Sequence, residues 1–291
     1  MQKAAPHVET PTIGIKTLTP VIGAEIEGVD LSRPLPADQF AEIRAALNAH
    51  HVLVFRNQRL TREEHKRFGR MFGSLHVHPF HAKSTLPDHA KSGALDPEIH
   101  LVKADQNSKH VAGEVWHTDV TCDEKPPMGS MLYVTETPVI GGGDTCFIST
   151  VQAYDALSPA MKEIVRGFTA THDGAKLYSG GYGLGRPEGG WPSAIHPVVI
   201  RHPESGKLAL FVNRGFTTRI NEFTPEESSA FLELLFRHIE GHVEFQCRVR
   251  WEPGTLTFWD NRVTQHHSVW DYFPYSRYGE RVSIVGECPS L

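Results

Sequence analysis

The sequence predicts a mainly β protein, one β-sandwich or jelly roll with helices packed outside it. Short apolar or alternating segments recur along the chain, helical periodicity is confined to a few stretches, and no linker divides the 291 residues. Residues 1–11 read as a loose polar tail, and residues 12–291 as a single domain.

Taken in order, Ile13 to Leu18 and Val21 to Ile26 are expected strands separated by Thr19-Pro20. Asp38 to His50 carries Phe40, Ile43, Ala46 and Leu47 at helical spacing and runs into the apolar strand His51 to Phe55. Thr61-Arg62-Glu63-Glu64 is a capping box that opens a helix to about Phe72, closed by Gly73. Ser74 to Ala112 is irregular and rich in His, Pro, Asp and Lys; a loop of that length is usually functional or mobile. Met128 to Glu136 reads as a strand, and Gly141-Gly142-Gly143 turns into Asp144 to Ile148. Thr150 to Arg166 reads as helix in two pieces, with Ser158-Pro159 as cap and first-turn proline. Ser179 to Ser193 holds so many glycines that no regular structure is expected; with its flanks, about 174–194, it is a second long loop near the site. Whether it closes as a lid is left open by composition. Thr224-Pro225-Glu226-Glu227 starts a helix to about Glu240. Val243 to Trp251 then alternates apolar and polar residues as a half-buried strand, followed by strands Thr255 to Trp259 and Arg281 to Val285.

Composition narrows the function classes. Hydrophobic content of 40% and charged content of 22% are those of a soluble globular protein. A net charge of −5 offers no basic face, so nucleic acid is not an expected partner. No apolar run of about 18 residues exists to span a membrane, and the N-terminus lacks the apolar core of a signal peptide. The four cysteines are scattered with no C-x-x-C pair, which reads as reduced, mostly buried thiols in a cytoplasmic protein. Histidine, at 18 residues, is the unusual feature.

The chemistry-bearing stretches are Trp116-His117-Thr118-Asp119 and Trp259 to His266. On a strand, His117 and Asp119 leave the same face. An imidazole and a carboxylate there are two members of a 2-His-1-carboxylate triad, which binds Fe(II) and leaves positions open. The third ligand must be a distant histidine, and His266 is the candidate. By itself an H-x-D pair does not separate a metal site from chance in a histidine-rich chain. His76 and His78 form a second pair, but without a nearby carboxylate they read as structural or substrate-contacting.

Trp116 to Thr121, Pro126-Pro127, Gly142-Gly143-Asp144-Thr145, His196 to Val199, Phe211-Val212-Asn213, Phe216 to Ile220 and Trp259 to His266 together closely resemble the taurine dioxygenase/2,4-dichlorophenoxyacetate dioxygenase (TauD/TfdA) family. The resemblance runs from about Ile13 to Cys288. It implies a double-stranded β-helix, a cupin-like jelly roll, that uses Fe(II), 2-oxoglutarate and O2 and forms homodimers or homotetramers. It makes His117, Asp119 and His266 the iron ligands. His267, one step along the strand, points to the opposite face and is left a packing or surface role.

By the same resemblance Arg277, with the hydroxyl of Thr145, grips the distal carboxylate of 2-oxoglutarate, and Arg281 lies beside the carboxylate that chelates iron; a guanidinium answers a carboxylate with two parallel charged hydrogen bonds. His78, the Val120 amide and Phe216 fall where relatives hold a sulfonate, with Arg281 beside them. His81 and Gly113 stand where the taurine enzyme has a Tyr and an Asn that meet the amine. Gly113 has no side chain for that task, and a buried ammonium without partners is costly. The implied substrate is therefore a small anion without the amine: an alkyl sulfonate, a sulfate ester or an aryloxy- or alkyl-carboxylate. Taurine itself, a non-enzymatic metal- or anion-binding jelly roll, and a zinc hydrolase using the same side chains stand as alternatives.

Overall fold

The structure, a computed structural model, describes residues 12–78 and 96–291. The tail at 1–11 and His81 lie outside them. Strands β1 (Gly14–Thr17), β2 (Ala24–Glu27), β3 (Val52–Phe55), β4 (His100–Ala104), β5 (Gly129–Glu136), β6 (Thr145–Ser149), β7 (Thr169–Asp173) and β8 (Ser193–Pro197) come first. Then follow β9 (Val199–Arg201), β10 (Leu208–Leu210), β11 (Thr217–Ile220), β12 (Gln246–Val249), β13 (Thr255–Asp260), β14 (Thr264–Ser268) and β15 (Arg277–Ile284). The helices are α1 (Ala37–His50), α2 (Arg62–Arg70), α3 (Thr150–Asp155), α4 (Pro159–Arg166) and α5 (Pro225–Glu240).

A seven-stranded sheet in the order β1-β2-β3-β13-β5-β15-β4 faces a smaller one in the order β12-β6-β14, which gives the jelly roll. β3 explains the layering. Its four residues are all buried: Val52 and Val54 point inward to Phe147, Trp251 and Trp259, while Leu53 and Phe55 point outward to Leu47 of α1 and Phe68 of α2. An apolar run buried on both faces is what a central strand requires. A further core joins Leu235, Phe236 and Ile239 of α5 to Val165, Ala170 and Val199. Both capping boxes form, at Thr61/Glu64 and Thr224/Glu227, and Ser158 caps α4 ahead of Pro159.

Several expectations need correction. His117 and Asp119 do not sit on a regular strand. His117 makes an isolated antiparallel bridge to His266, and the chain turns at Asp119–Val120. The irregular 74–112 stretch contains β4, which pairs with β15. Part of the glycine-rich stretch is regular: Ser179 to Gly181 belong to a π-helical turn, Lys176–Gly181. Only Gln246–Val249 of the alternating 243–251 segment is strand. Val243–Phe245 is a 3-10 turn, and Val243 is 78% exposed, because there is no facing strand before Gln246. Strands β7 to β11 are too short, at three to five residues each, to show a period in sequence.

Candidate active site

Alternation within the strands decides which side chains meet between the sheets. Ser130, Leu132 and Val134 share the inner face of β5; Ser283 and Arg281 stand opposite Ser130 and Leu132 on β15. On β14, His266 pairs with Phe147 of β6 and points inward; His267, one step on, leaves the other way and packs against Trp116 with ring centres 5.3 Å apart. The bridge from His117 to His266 is closed by two backbone hydrogen bonds of 3.1 and 2.8 Å. The two rings lie 4.1 Å apart at their centres.

His117, Asp119 and His266 converge. Their ligand atoms lie within 4.8 Å of one another, and among the described residues no other group of three His, Cys, Asp or Glu side chains does this. Nε2 of His117 is 3.8 Å and Nε2 of His266 3.9 Å from the same oxygen, Oδ1 of Asp119. Nδ1–H of His117 donates to the Val115 carbonyl at 2.7 Å, which fixes the tautomer and leaves Nε2 with its lone pair facing the cluster. Burial pushes both imidazoles below their usual range, so both are neutral near pH 7. Burial acts to raise the Asp119 carboxyl, but the Arg281 guanidinium, with the Ser130 hydrogen bond, holds it well below the carboxylate range. Arg281 reaches Oδ1 at 2.5 Å and Ser130 donates to Oδ2 at 2.7 Å. The donor set, two neutral nitrogens and one ionised oxygen, suits Fe(II).

The other expected residues surround this group. Arg281, Thr145, His78, Val120 and Phe216 line the same cavity of about 60 Å³. Arg277 lies behind its wall, stacked 5.2 Å from the centre of the Trp251 ring, and that indole donates to Thr145 Oγ1 at 3.0 Å. Arg277 is buried, yet none of its three guanidinium nitrogens makes a well-formed hydrogen bond, although Tyr272 lies beside it. Five donor hydrogens without an acceptor are an unmet demand for an anion. Val120 takes φ of +50°, a left-handed conformation rare for a β-branched residue that costs about 1–3 kcal/mol and marks functional turns. His78 stacks on His100 at 4.5 Å. His76 does find a carboxylate, that of Asp123 at 3.1 Å, a correction to its reading as a pair without one.

A family model for the taurine catabolism dioxygenases, the TauD, TfdA family, matches residues 14–283. The chain belongs to the TauD/TfdA family. Membership makes it a 2-oxoglutarate-dependent oxygenase on a double-stranded β-helix. The sulfate ester dioxygenase of Pseudomonas putida, named as dependent on alpha-ketoglutarate (2-oxoglutarate), is 35% identical over 92% of this chain and 88% of its own. The corresponding sulfonate dioxygenase of Saccharomyces cerevisiae is 32% identical over 94% of this chain and 67% of its own. A solved taurine dioxygenase from Burkholderia xenovorans superposes with a TM-score of 0.79 at 34% identity, covering 96% of this chain and 93% of that one.

The TauD/TfdA motifs in the sequence did not expose Ser130 and Ser283, which stand behind Asp119, or Trp251, which joins Arg277 to Thr145; Asn261 lies within the Trp259 to His266 motif but was given no role there. The only sequence signal of Ser130 and Ser283 is a polar residue at an inward strand position, and Trp251 follows β12 in a loop. Tyr178 and Tyr182, from the π-helical turn and its end, also line the cavity. Among the described residues no helix is long and apolar enough to cross a membrane. Cys122, Cys146, Cys247 and Cys288 are free thiols, of which Cys122 and Cys247 are buried.

Proposed function

We propose that this oxygenase binds Fe(II) through His117, Asp119 and His266, takes 2-oxoglutarate and O2 there, and hydroxylates a small anionic organic substrate without an amine. The convergence of three buried ligand atoms around Asp119 Oδ1 carries the assignment. When bound, ferrous iron supplies the redox chemistry by which O2 converts 2-oxoglutarate to succinate and CO2 and places its second oxygen atom on a substrate C–H carbon.

The chain's own groups have separate tasks. The Val115 carbonyl takes the His117 Nδ1 proton and leaves its Nε2 lone pair free, and Ser130 and Arg281 hold the Asp119 carboxylate ionised. The unmet guanidinium of Arg277, with Thr145 on the far edge of Trp251, fits the distal carboxylate of 2-oxoglutarate. Leu132, Leu177, Phe216 and Trp259 exclude water from the cavity. His78, the Val120 turn and Arg281 meet the substrate's anionic group at its rim.

The amine-free substrate is supported by Gly113. Its φ is +87°, and a Cβ there would lie 3.1 Å from His117 Cε1 and 3.0 Å from Ser268 Oγ, so a side chain would press on a ligand ring. Its N–H donates to the Tyr182 hydroxyl at 2.8 Å and its carbonyl accepts from the Ser268 N–H at 2.7 Å, so both backbone groups of Gly113 are already engaged. Relatives named for sulfonates and sulfate esters agree with an anionic head group. Hydroxylation at a carbon bearing sulfonate, sulfate or ether oxygen gives a product that collapses to an aldehyde or ketone plus sulfite, sulfate or a phenol. A panel of alkyl sulfonates, alkyl sulfates and aryloxy- or alkyl-carboxylates, read as substrate-dependent succinate, tests this. Turnover within that panel and little with taurine is expected; strong turnover of taurine alone would overturn the substrate class.

A further inference from the structure

Asp119 has two carboxylate oxygens, and the protein treats them differently. Oδ1 faces both imidazoles; Oδ2 turns away and accepts from Ser130 Oγ at 2.7 Å. Ser130 is fully buried on the inner face of β5, between β13 and β15. It has two further contacts: Asn261 Nδ2 donates to its oxygen at 3.1 Å, and Ser283 Oγ lies 2.9 Å away.

The hydrogen positions follow by elimination. The Trp259 indole N–H can only donate, and it reaches Asn261 Oδ1 at 2.9 Å, so the amide oxygen faces Trp259 and the amide nitrogen faces Ser130. An ionised Asp119 can only accept, so the single Ser130 hydrogen goes to Oδ2. Ser283 must therefore donate to Ser130. The chain of bonds has one direction: Asn261 and Ser283 give to Ser130, and Ser130 gives to Asp119. Each acceptor bond polarises the Ser130 O–H and strengthens the next.

We infer that Ser130 is a positioning residue, held by Asn261 and Ser283, that engages Asp119 Oδ2 so that the carboxylate offers only Oδ1 to the metal. The inference rests on the metal assignment made above. Without the Ser130 hydrogen, Oδ2 is free to rotate into the cluster, as a second ligand atom competing for a position that a bidentate keto acid needs. Ser130 is not among the residues that line the cavity, and its direct hydrogen bond to a metal ligand is the one to Asp119.

Co(II), whose visible spectrum reports coordination geometry, is the probe, titrated into the metal-free full chain without 2-oxoglutarate. Ser130→Ala is expected to weaken Co(II) binding about tenfold or more and to change the visible spectrum. Ser283→Ala, which removes a hydroxyl from the same network without touching Asp119, keeps the wild-type spectrum and binds within a few-fold. If Ser130→Ala does not fold, Ser130→Cys, which keeps the shape with a weaker donor, is read instead and shows reduced affinity with an altered spectrum. Wild-type affinity and spectrum in the Ser130 variant, or an equal loss in both serine variants, would overturn the inference. Failure of the unsubstituted protein to take up Co(II) would remove the metal assignment itself, and is told apart because it precedes any substitution.

Discussion

Two buried clusters in this molecule use the same residue types, and only one is a candidate for chemistry. At the end of β13, Asp260 meets His202 at 2.9 Å and Arg262 through two guanidinium bonds of 2.8 and 2.6 Å. His202 Nδ1 accepts from Ser205, and Arg262 reaches on to Glu204. Every nitrogen and oxygen of the Asp260–His202 pair has a partner. Around Asp119 the inventory is alike, a carboxylate with histidines and arginines, but Nδ1 of His266, Nε of Arg281 and the whole guanidinium of Arg277 lack one. A closed network is a structural device; an open one is shaped for something else to complete. Residue type does not separate the two clusters, whereas hydrogen-bond satisfaction does.

The same substitution in both places should break the comparison most visibly. His266→Gln, at a ring with an unpartnered Nδ1, is expected to abolish 2-oxoglutarate turnover while stability stays within about 1 kcal/mol. His202→Gln should do the reverse. It strips a buried carboxylate of a donor and costs about 2–4 kcal/mol by chemical denaturation, with turnover per folded molecule retained. Equal stability losses at the two sites would erase the distinction.

A smaller effect is expected at Arg277. Arg277→Met should raise the 2-oxoglutarate concentration needed for half-maximal turnover about ten- to a hundredfold, the worth of lost charge-assisted hydrogen bonds. Because no well-formed hydrogen bond within the protein is lost and Met keeps an apolar side chain against Trp251, the unliganded variant should melt close to the wild type. A lower melting temperature would place Arg277 in the closed class.

The weakest effect is the pH dependence of the closed cluster. Burial acts to raise the Asp260 carboxyl, but Arg262 and His202 hold it well below the usual range. The folded state therefore releases this proton more readily than the unfolded chain. The resulting stability is present above the unfolded value near 4 and is lost as pH falls below it. The stability gap between wild type and Asp260→Asn should be flat above about pH 5 and narrow below about pH 4. A gap that widens on acidification would reverse the sign.

Much of this was legible in the sequence for physical reasons. β3 announced itself as an apolar run, and the helices with capping boxes by side chains that must answer free backbone N–H groups. His117, Asp119 and His266 stood out through long ordered motifs. The bridge and left-handed turn that bring them together did not, since no local pattern encodes a contact across about 150 residues. Ser130 was silent because a serine on an inward face looks like any other until its partners are placed, and Asn261, though inside a motif, gave no sign of its task. Val243 misled because alternation continues where the facing strand does not.

The open cluster is tested most directly by anaerobic titration of Fe(II) and 2-oxoglutarate followed through their visible charge-transfer band. The band should form with one iron per chain in the wild type and in His267→Gln, whose ring faces Trp116, and be absent in His266→Gln. A full band in His266→Gln, or its loss in His267→Gln alone, would contradict the site described here.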